Sequence, residues 1–228
     1  MGPGPPQHSV GLSAPRYLTL SVRVLAIADE VAEPLWGDTL NELRPELILS
    51  AGDLPFDYLE NLVSRTDVPL LYVPGNHDPS LKPGDGTFEG LSAKFDGVGP
   101  PGCVNVDERV EQAAGLWIAG LGGSVRYNEG INQYTQRQMR WRAWRLRTRV
   151  RIRRRRIDIL LTHAPPAGFG DAEDPAHVGV EALVPLVQRL RPRLLVHGHV
   201  RKYGPKTEDL RLGGTLLINP IPYRLIEI

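Results

Sequence analysis

The 228-residue sequence has one cysteine, Cys103, so no disulfide can form within the chain, and a metal site here has to use His, Asp, Glu and Asn. No apolar run approaches the roughly 18 residues that a membrane-spanning helix needs. The opening MGPGPPQHSV lacks the basic start and apolar core of a secretion signal, and Pro6 stands where a myristoylation motif would need Ser or Thr. A soluble, cytoplasmic protein with no membrane partner is expected. Net charge is nearly absent as well, since 27 basic against 26 acidic side chains leave +1, and no global field draws nucleic acid or lipid. No repeat of fixed period appears. The glycine-rich GLGGS at 120–124 fails as a dinucleotide fingerprint because Val125 stands at the last glycine position, and no P-loop lysine follows.

What is present points to one substantial domain. The composition is 41% hydrophobic and 23% charged, and a chain of this length buries roughly 70–75% of its unfolded surface. Residues 1–16, rich in Pro and Gly, read as a disordered tail before a domain at 17–228. Apolar runs at 17–29, 46–53, 69–78, 115–123, 157–166, 193–200 and 215–220 predict buried strands. Helical spacing at 56–66, 134–153 and 178–191 alternates with them, which indicates a layered α/β fold. The stretch 79–114 reads as a long loop with one short helix, and loops of that length are more often functional than idle.

Charge is unevenly distributed within the neutral total. Residues 137–156 hold eleven arginines, with Trp141 and Trp144 among them, and such a stretch can grip nucleic-acid phosphates. Met139, Ala143, Leu146 and Val150 recur at helical spacing, so the favoured reading is an amphipathic surface helix whose arginines face water.

The strand ends carry the candidate chemistry. Asp29, Asp53, the pair Asn76 and His77, His163 and His199 each follow an apolar run, and the carboxyl ends of strands are where open α/β sheets bind ligands. Each alone has a structural explanation as a turn former or a hydrogen-bonded histidine. With His197 they place four of the six histidines at the ends of apolar runs, beside two carboxylates and an amide.

GD at 52–53, GNHD at 75–78, TH at 162–163 and GHVR at 198–201 resemble, in order and spacing, the signature of the calcineurin-like metallophosphoesterases. The resemblance spans roughly residues 20–228. It implies an α/β fold, an α+β sandwich in which two mixed β-sheets are flanked by helices in four layers, with metal ions at the sheet ends. It implies metal ligation by Asp29, Asp53, Asn76, His163 and His199, with Asp53 bridging two ions. His77 is implied to assist the leaving group or hold the phosphate, with Asp78 fixing its orientation. The implied cofactor is one or two divalent transition metal ions, Mn first and Fe or Zn as alternatives.

Two positions depart from the family pattern. Val31 stands where the first motif has histidine, and by strand alternation it is expected to face the same site as Asp29. Arg201 replaces the last histidine of G-H-x-H. It either places a guanidinium where an ion is lost, neutralising Asp29 or gripping phosphate, or it points to solvent beside a weak first ion. His197, two residues before His199, is either a substitute ligand on the same face or a hydrogen-bonded strand histidine.

The leading functional expectation is a hydrolase of phosphomonoesters or phosphodiesters acting on a small phosphorylated substrate by attack of metal-bound hydroxide, with an atypical first metal site. The alternatives are a degenerate member that binds a phosphorylated ligand without turnover and, less favoured, a nuclease or nucleic-acid-binding protein. The loop 165–177, beside His163, is expected to shape substrate choice.

Overall fold

Period-two alternation sets the layers. In the strand Arg23–Ile27 (β1), Val24 and Ala26 face one side and Leu25 and Ile27 the other, and all four are fully buried, as a strand covered on both faces requires. The computed structural model describes residues 21–80, 99–201 and 209–228; the tail at 1–16 and the middle of the 79–114 loop lie outside these. After β1 come a 3-10 turn at Glu33–Trp36, α1 (Thr39–Leu43), β2 (Leu47–Ser50), α2 (Phe56–Ser64) and β3 (Leu70–Tyr72). Then follow β4 (Cys103–Asn105), β5 (Val110–Ala113), β6 (Leu116–Leu121), β7 (Ser124–Val125), β8 (Gln133–Tyr134) and α3 (Gln136–Arg153). The chain finishes through β9 (Ile159–Thr162), α4 (Leu183–Leu190), β10 (Leu194–Val196), β11 (Leu210–Leu212), β12 (Thr215–Ile218) and β13 (Tyr223–Glu227).

One sheet runs β13-β1-β2-β3-β4 and the other β11-β12-β10-β9-β6-β5, with β7 and β8 forming a small ribbon. The inner strands of both sheets are parallel and the edges β13, β11 and β5 antiparallel. Val24, Leu49, Leu71, Ile118, Leu161 and Val196 meet between the sheets. The opposite face of the first sheet packs on Leu40, Tyr58 and Leu62, and that of the second on Met139, Leu146, Leu183 and Val187. The expected four-layer sandwich of two mixed sheets flanked by helices is therefore observed.

Local differences from the sequence reading have physical causes. The 79–114 stretch contains β4 and β5, which sit at sheet edges and carry too few buried side chains to read as apolar runs. β13 was likewise hidden, since only Ile226 in it is buried. α4 begins later than its spacing implies because Val180 pairs with Pro166 in an isolated bridge. α3 starts with a capping box in which Thr135 Oγ1 accepts from the Gln138 N–H and Gln138 Oε1 accepts from the Thr135 N–H. Arg142 of that helix is not at the surface. It is buried over the Tyr134 ring, forked onto Asp107 at 2.6 and 2.7 Å, and bonded to Glu108 and the Gly122 carbonyl.

Candidate metal centre

The five sequence-predicted ligands lie just beyond the carboxyl ends of β1, β2, β3, β9 and β10. Asp29, Asp53 and His199 all have positive φ, at 60°, 58° and 70°. Such a backbone is uncommon outside glycine and collects at functional sites, and here it turns each side chain out of its strand line toward the centre. The turns press against one another. A Cβ on Gly75 would sit 2.0 Å from Asp53 Oδ1, and one on Gly198 2.1 Å from Asp29 Oδ2, so both close approaches need glycine.

Ligand atoms of Asp53, His163 and His199 lie within 4.8 Å of one another. His163 is fully buried. Its Nδ1 lies 2.7 Å from the Ala51 carbonyl, which can only accept, so Nδ1 carries the proton. Its Nε2 then faces two more acceptors, Asn76 Oδ1 at 2.9 Å and Asp53 Oδ2 at 3.4 Å. That junction calls for a positive charge, either a proton or a metal ion. His199 is arranged alike: its Nε2 donates to the Ala176 carbonyl at 2.8 Å, leaving Nδ1 as its lone-pair nitrogen. Anchoring one imidazole nitrogen on a backbone carbonyl to free the other is the usual support of a metal-ligating histidine. Asn76 completes the set, with its amide nitrogen donating to the Tyr127 hydroxyl at 3.1 Å. Two imidazoles, a carboxylate and an amide oxygen fit Mn, Fe or Zn.

The charges agree with this geometry. Burial opposes charging His163, but the Asp53 and Asp29 carboxylates outweigh it and lift the imidazole to about 9. Burial would raise Asp53, yet His163 and the His77 N–H hold it at about 2. Asp29 is raised by burial despite His163 and the His199 N–H, which reaches its two oxygens at 3.0 and 2.9 Å. Burial and the charge on His163 push His199 down to about 3.

Two expected contacts are corrected. Asp78 does not orient the His77 ring. Its buried Oδ2 accepts from the Gly75 N–H at 2.7 Å and the Asp53 N–H at 3.0 Å, tying the GNHD turn to the GD turn, and burial lifts its carboxyl to about 6. Val31 does not share the site with Asp29, because β1 ends at Ile27 and alternation stops there; Val31 is an exposed side chain. Of the two readings of His197 the hydrogen-bonded histidine is the one observed, though just past the strand, since β10 ends at Val196. It is buried, with Nδ1 3.1 Å from the Gly198 carbonyl and its ring edge against Gly170.

A cavity of about 610 Å³ opens over the centre, lined by Asp29, Asp53, His77, Tyr127, His177 and Arg201 among others. Arg201 stands at its edge, half-exposed, with Nε 3.3 Å from Glu30 Oε1, and its charge acts on Asp29. The loop 165–177 does reach the site: the Ala176 carbonyl holds His199, and the ring of His177, its Nδ1 2.8 Å from Asp174, lies tilted by 52° with its centre 5.4 Å from that of the His199 ring. Tyr127 follows the GLGGS segment, where the sequence left it able to line a pocket without any spacing that demanded it, and it does line this cavity. Sequence reasoning missed His177, for which the Asp174-x-x-His177 spacing was a usable signal.

A family model for metallophosphoesterases of the calcineurin superfamily matches residues 42–224, most of the chain. The chain belongs to that superfamily. Among solved structures, TT1561 of Thermus thermophilus aligns at 21% identity over 88% of this chain and 89% of its own, with a TM-score of 0.62, which is a likeness of fold. A Vps29 single mutant from Entamoeba histolytica aligns at 17% identity over 87% of this chain and 73% of its own, with a TM-score of 0.41. No curated protein matches the chain. The superfamily membership accounts for the order in which GD, GNHD, the lone histidine and GH reach one centre from four strands.

Proposed function

We propose that the protein is a metal-dependent phosphoesterase acting on a phosphomonoester or phosphodiester with one firmly held divalent ion, and that Arg201 serves where other members place a histidine. The observation that carries this is the junction at His163 Nε2. A carboxylate, an amide oxygen and an imidazole nitrogen converge there with no donor of their own to spare. Asp53, Asn76, His163 and His199 would hold the ion, with Mn the first candidate. When bound, a divalent ion there lowers the pKa of water by several units and offsets charge on phosphoryl oxygens.

The remaining groups have distinct tasks. Arg201 turns its planar fork from Glu30 onto two phosphoryl oxygens, a contact that orients the ester. It cannot activate water, because it stays protonated. His77, on the exposed rim with its backbone fixed by Asp53, gives a proton to the leaving oxygen. His177, fixed through Nδ1 by Asp174, offers Nε2 to a substrate oxygen at the mouth. Asp29, on which Asp53 is the one carboxylate seen to act among the described residues, supports at most a weak second ion.

The test is hydrolysis of an aryl phosphodiester and an aryl phosphomonoester by metal-stripped protein titrated with Mn, beside Asp53→Asn. Activity that returns with Mn and is lost in the variant supports the proposal. Metal binding without turnover of either ester makes the protein a binding module for a phosphorylated ligand.

A further inference from the structure

We infer that the outer face of α3 is a docking surface for an anionic phospholipid bilayer. At about 100° per residue, Met139, Ala143, Leu146 and Val150 occupy one narrow arc of the helix, and it is buried. The arc directly opposite, about 180° away, holds Arg137 in the first turn and then Trp141, Trp144, Thr148 and Ile152. Beyond its first turn the ridge farthest from the core is therefore largely apolar. Trp141 is 58% exposed, Trp144 57% and Ile152 73%, so half of the six large hydrophobic side chains exposed among the described residues stand on this one line. Isolated exposed apolar side chains are ordinary, whereas an aligned row of them marks an interaction surface.

Arginines flank the ridge on both sides. Arg140, Arg147 and Arg151 lie along one side, and Arg145 and Arg149 along the other, with Arg154 and Arg156 following just past the helix end. Arg145 and Arg149 are held by Glu108, and Arg140 loosely by Glu181, but Arg147, Arg151, Arg153, Arg154 and Arg156 make no ion pair among the described residues. The near-zero total charge conceals this polarity. Residues 137–156 carry eleven arginines and no acid, which leaves 16 basic and 26 acidic side chains, a net −10, in the rest of the chain. The molecule thus has one face that attracts polyanions and a remainder that avoids them.

The shape selects among polyanions. Single-stranded nucleic acid binds in a groove and stacks bases on open aromatic faces. Here the aromatics form a ridge, the Trp141 and Trp144 rings are tilted by 38° at 6.2 Å, and the Arg145 guanidinium covers Trp141 at 4.9 Å, so no slot for a base exists between them. Ile152 would also have no role. A bilayer surface uses every part: Trp and Ile enter the boundary between headgroups and acyl chains, and guanidinium groups on both flanks reach lipid phosphates. Clefts flank the ridge to receive headgroups, one of about 340 Å³ lined by Arg140, Trp144, Arg147 and Arg189, and one of about 740 Å³ lined by Tyr134, Arg137, Trp141 and Arg145.

Co-sedimentation of the full chain with phosphatidylcholine vesicles, with and without phosphatidylglycerol, tests this. Binding is expected only with phosphatidylglycerol, weakening as salt rises. Trp141→Ser/Trp144→Ser, and separately Arg147→Gln/Arg151→Gln, should each lower vesicle affinity about tenfold or more with an unchanged circular dichroism spectrum. All four positions are exposed, so the variants keep the core intact. Failure to bind the anionic vesicles overturns the inference. So does binding that the tryptophan variant retains, which would be plain charge attraction. Displacement from the vesicles by a single-stranded oligonucleotide at matched charge would instead make this a nucleic-acid surface.

Discussion

The Asn76 amide nitrogen donates to the Tyr127 hydroxyl at 3.1 Å, and through that bond a residue of the connection between β7 and β8 decides which atom of Asn76 faces His163. The amide has two ends of similar size and opposite polarity, and only the oxygen can share a cation with Asp53 and His163.

Tyr127→Phe removes this anchor without changing volume. Metal affinity should fall about tenfold or more, the usual effect of losing an outer partner of a ligand, while thermal stability of the metal-free protein hardly changes. Isothermal titration with Mn checks it, and an unchanged dissociation constant would show that Asn76 holds its orientation unaided.

The raised pKa of His163 gives a pH signature. The folded protein keeps this proton up to about 9, whereas the unfolded chain releases it near the ordinary histidine value of about 6.5. Its contribution is therefore complete below about 6.5 and is lost as pH rises through about 9. Metal-stripped protein should show a melting temperature that declines across this window. Mn-loaded protein should not, because the ion takes the proton's place and binds better as the imidazole deprotonates. Parallel scans from pH 6 to 9.5, roughly bracketing these values, would reveal a stripped protein with a flat profile if His163 were neutral.

Arg201→Ala should weaken inhibition by inorganic phosphate roughly tenfold or more while leaving Mn affinity unchanged, since the guanidinium is assigned to the phosphoryl group and not to the ion. Phosphate inhibition constants and Mn titrations on the same preparations separate the two effects. A variant with weaker Mn binding and normal phosphate inhibition would place Arg201 in the metal's support instead.

Arg142→Ala should destabilise the fold by about 3–5 kcal/mol, because it leaves Asp107 and Glu108 without their buried partner and frees the Gly122 carbonyl. Arg151→Ala, on the exposed side of the same helix, should stay within about 0.5 kcal/mol. Urea unfolding of both variants measures the contrast, and equal small effects would mean that the buried pair is dispensable.

Much of the centre was legible in the sequence. Buried parallel strands of four or five residues announce themselves as apolar runs, and the polar residues that end them must gather along one edge because the strands are parallel. That logic, with the ordered GD, GNHD, TH and GH motifs, placed Asp29, Asp53, Asn76, His163 and His199 at the strand ends. Edge strands escaped, since β4 and β13 bury too few side chains to leave a pattern.

By itself the sequence determined the layered architecture, which follows from hydrophobic period, and, through the resemblance carried by its ordered GD, GNHD, TH and GH motifs, the superfamily and the residues that meet at the strand ends. Tertiary structure alone decided which side chains beyond the strand ends belong to the site. Alternation is a property of extended backbone, and it lapses where β1 ends and φ turns positive at Asp29, so Val31 leaves the site that period-two counting assigned it. Tyr127 and Ala176 enter through contacts between segments distant in sequence, 51 residues apart for Asn76 with Tyr127 and 23 for His199 with Ala176, and no local pattern records a partner that arrives from so far along the chain.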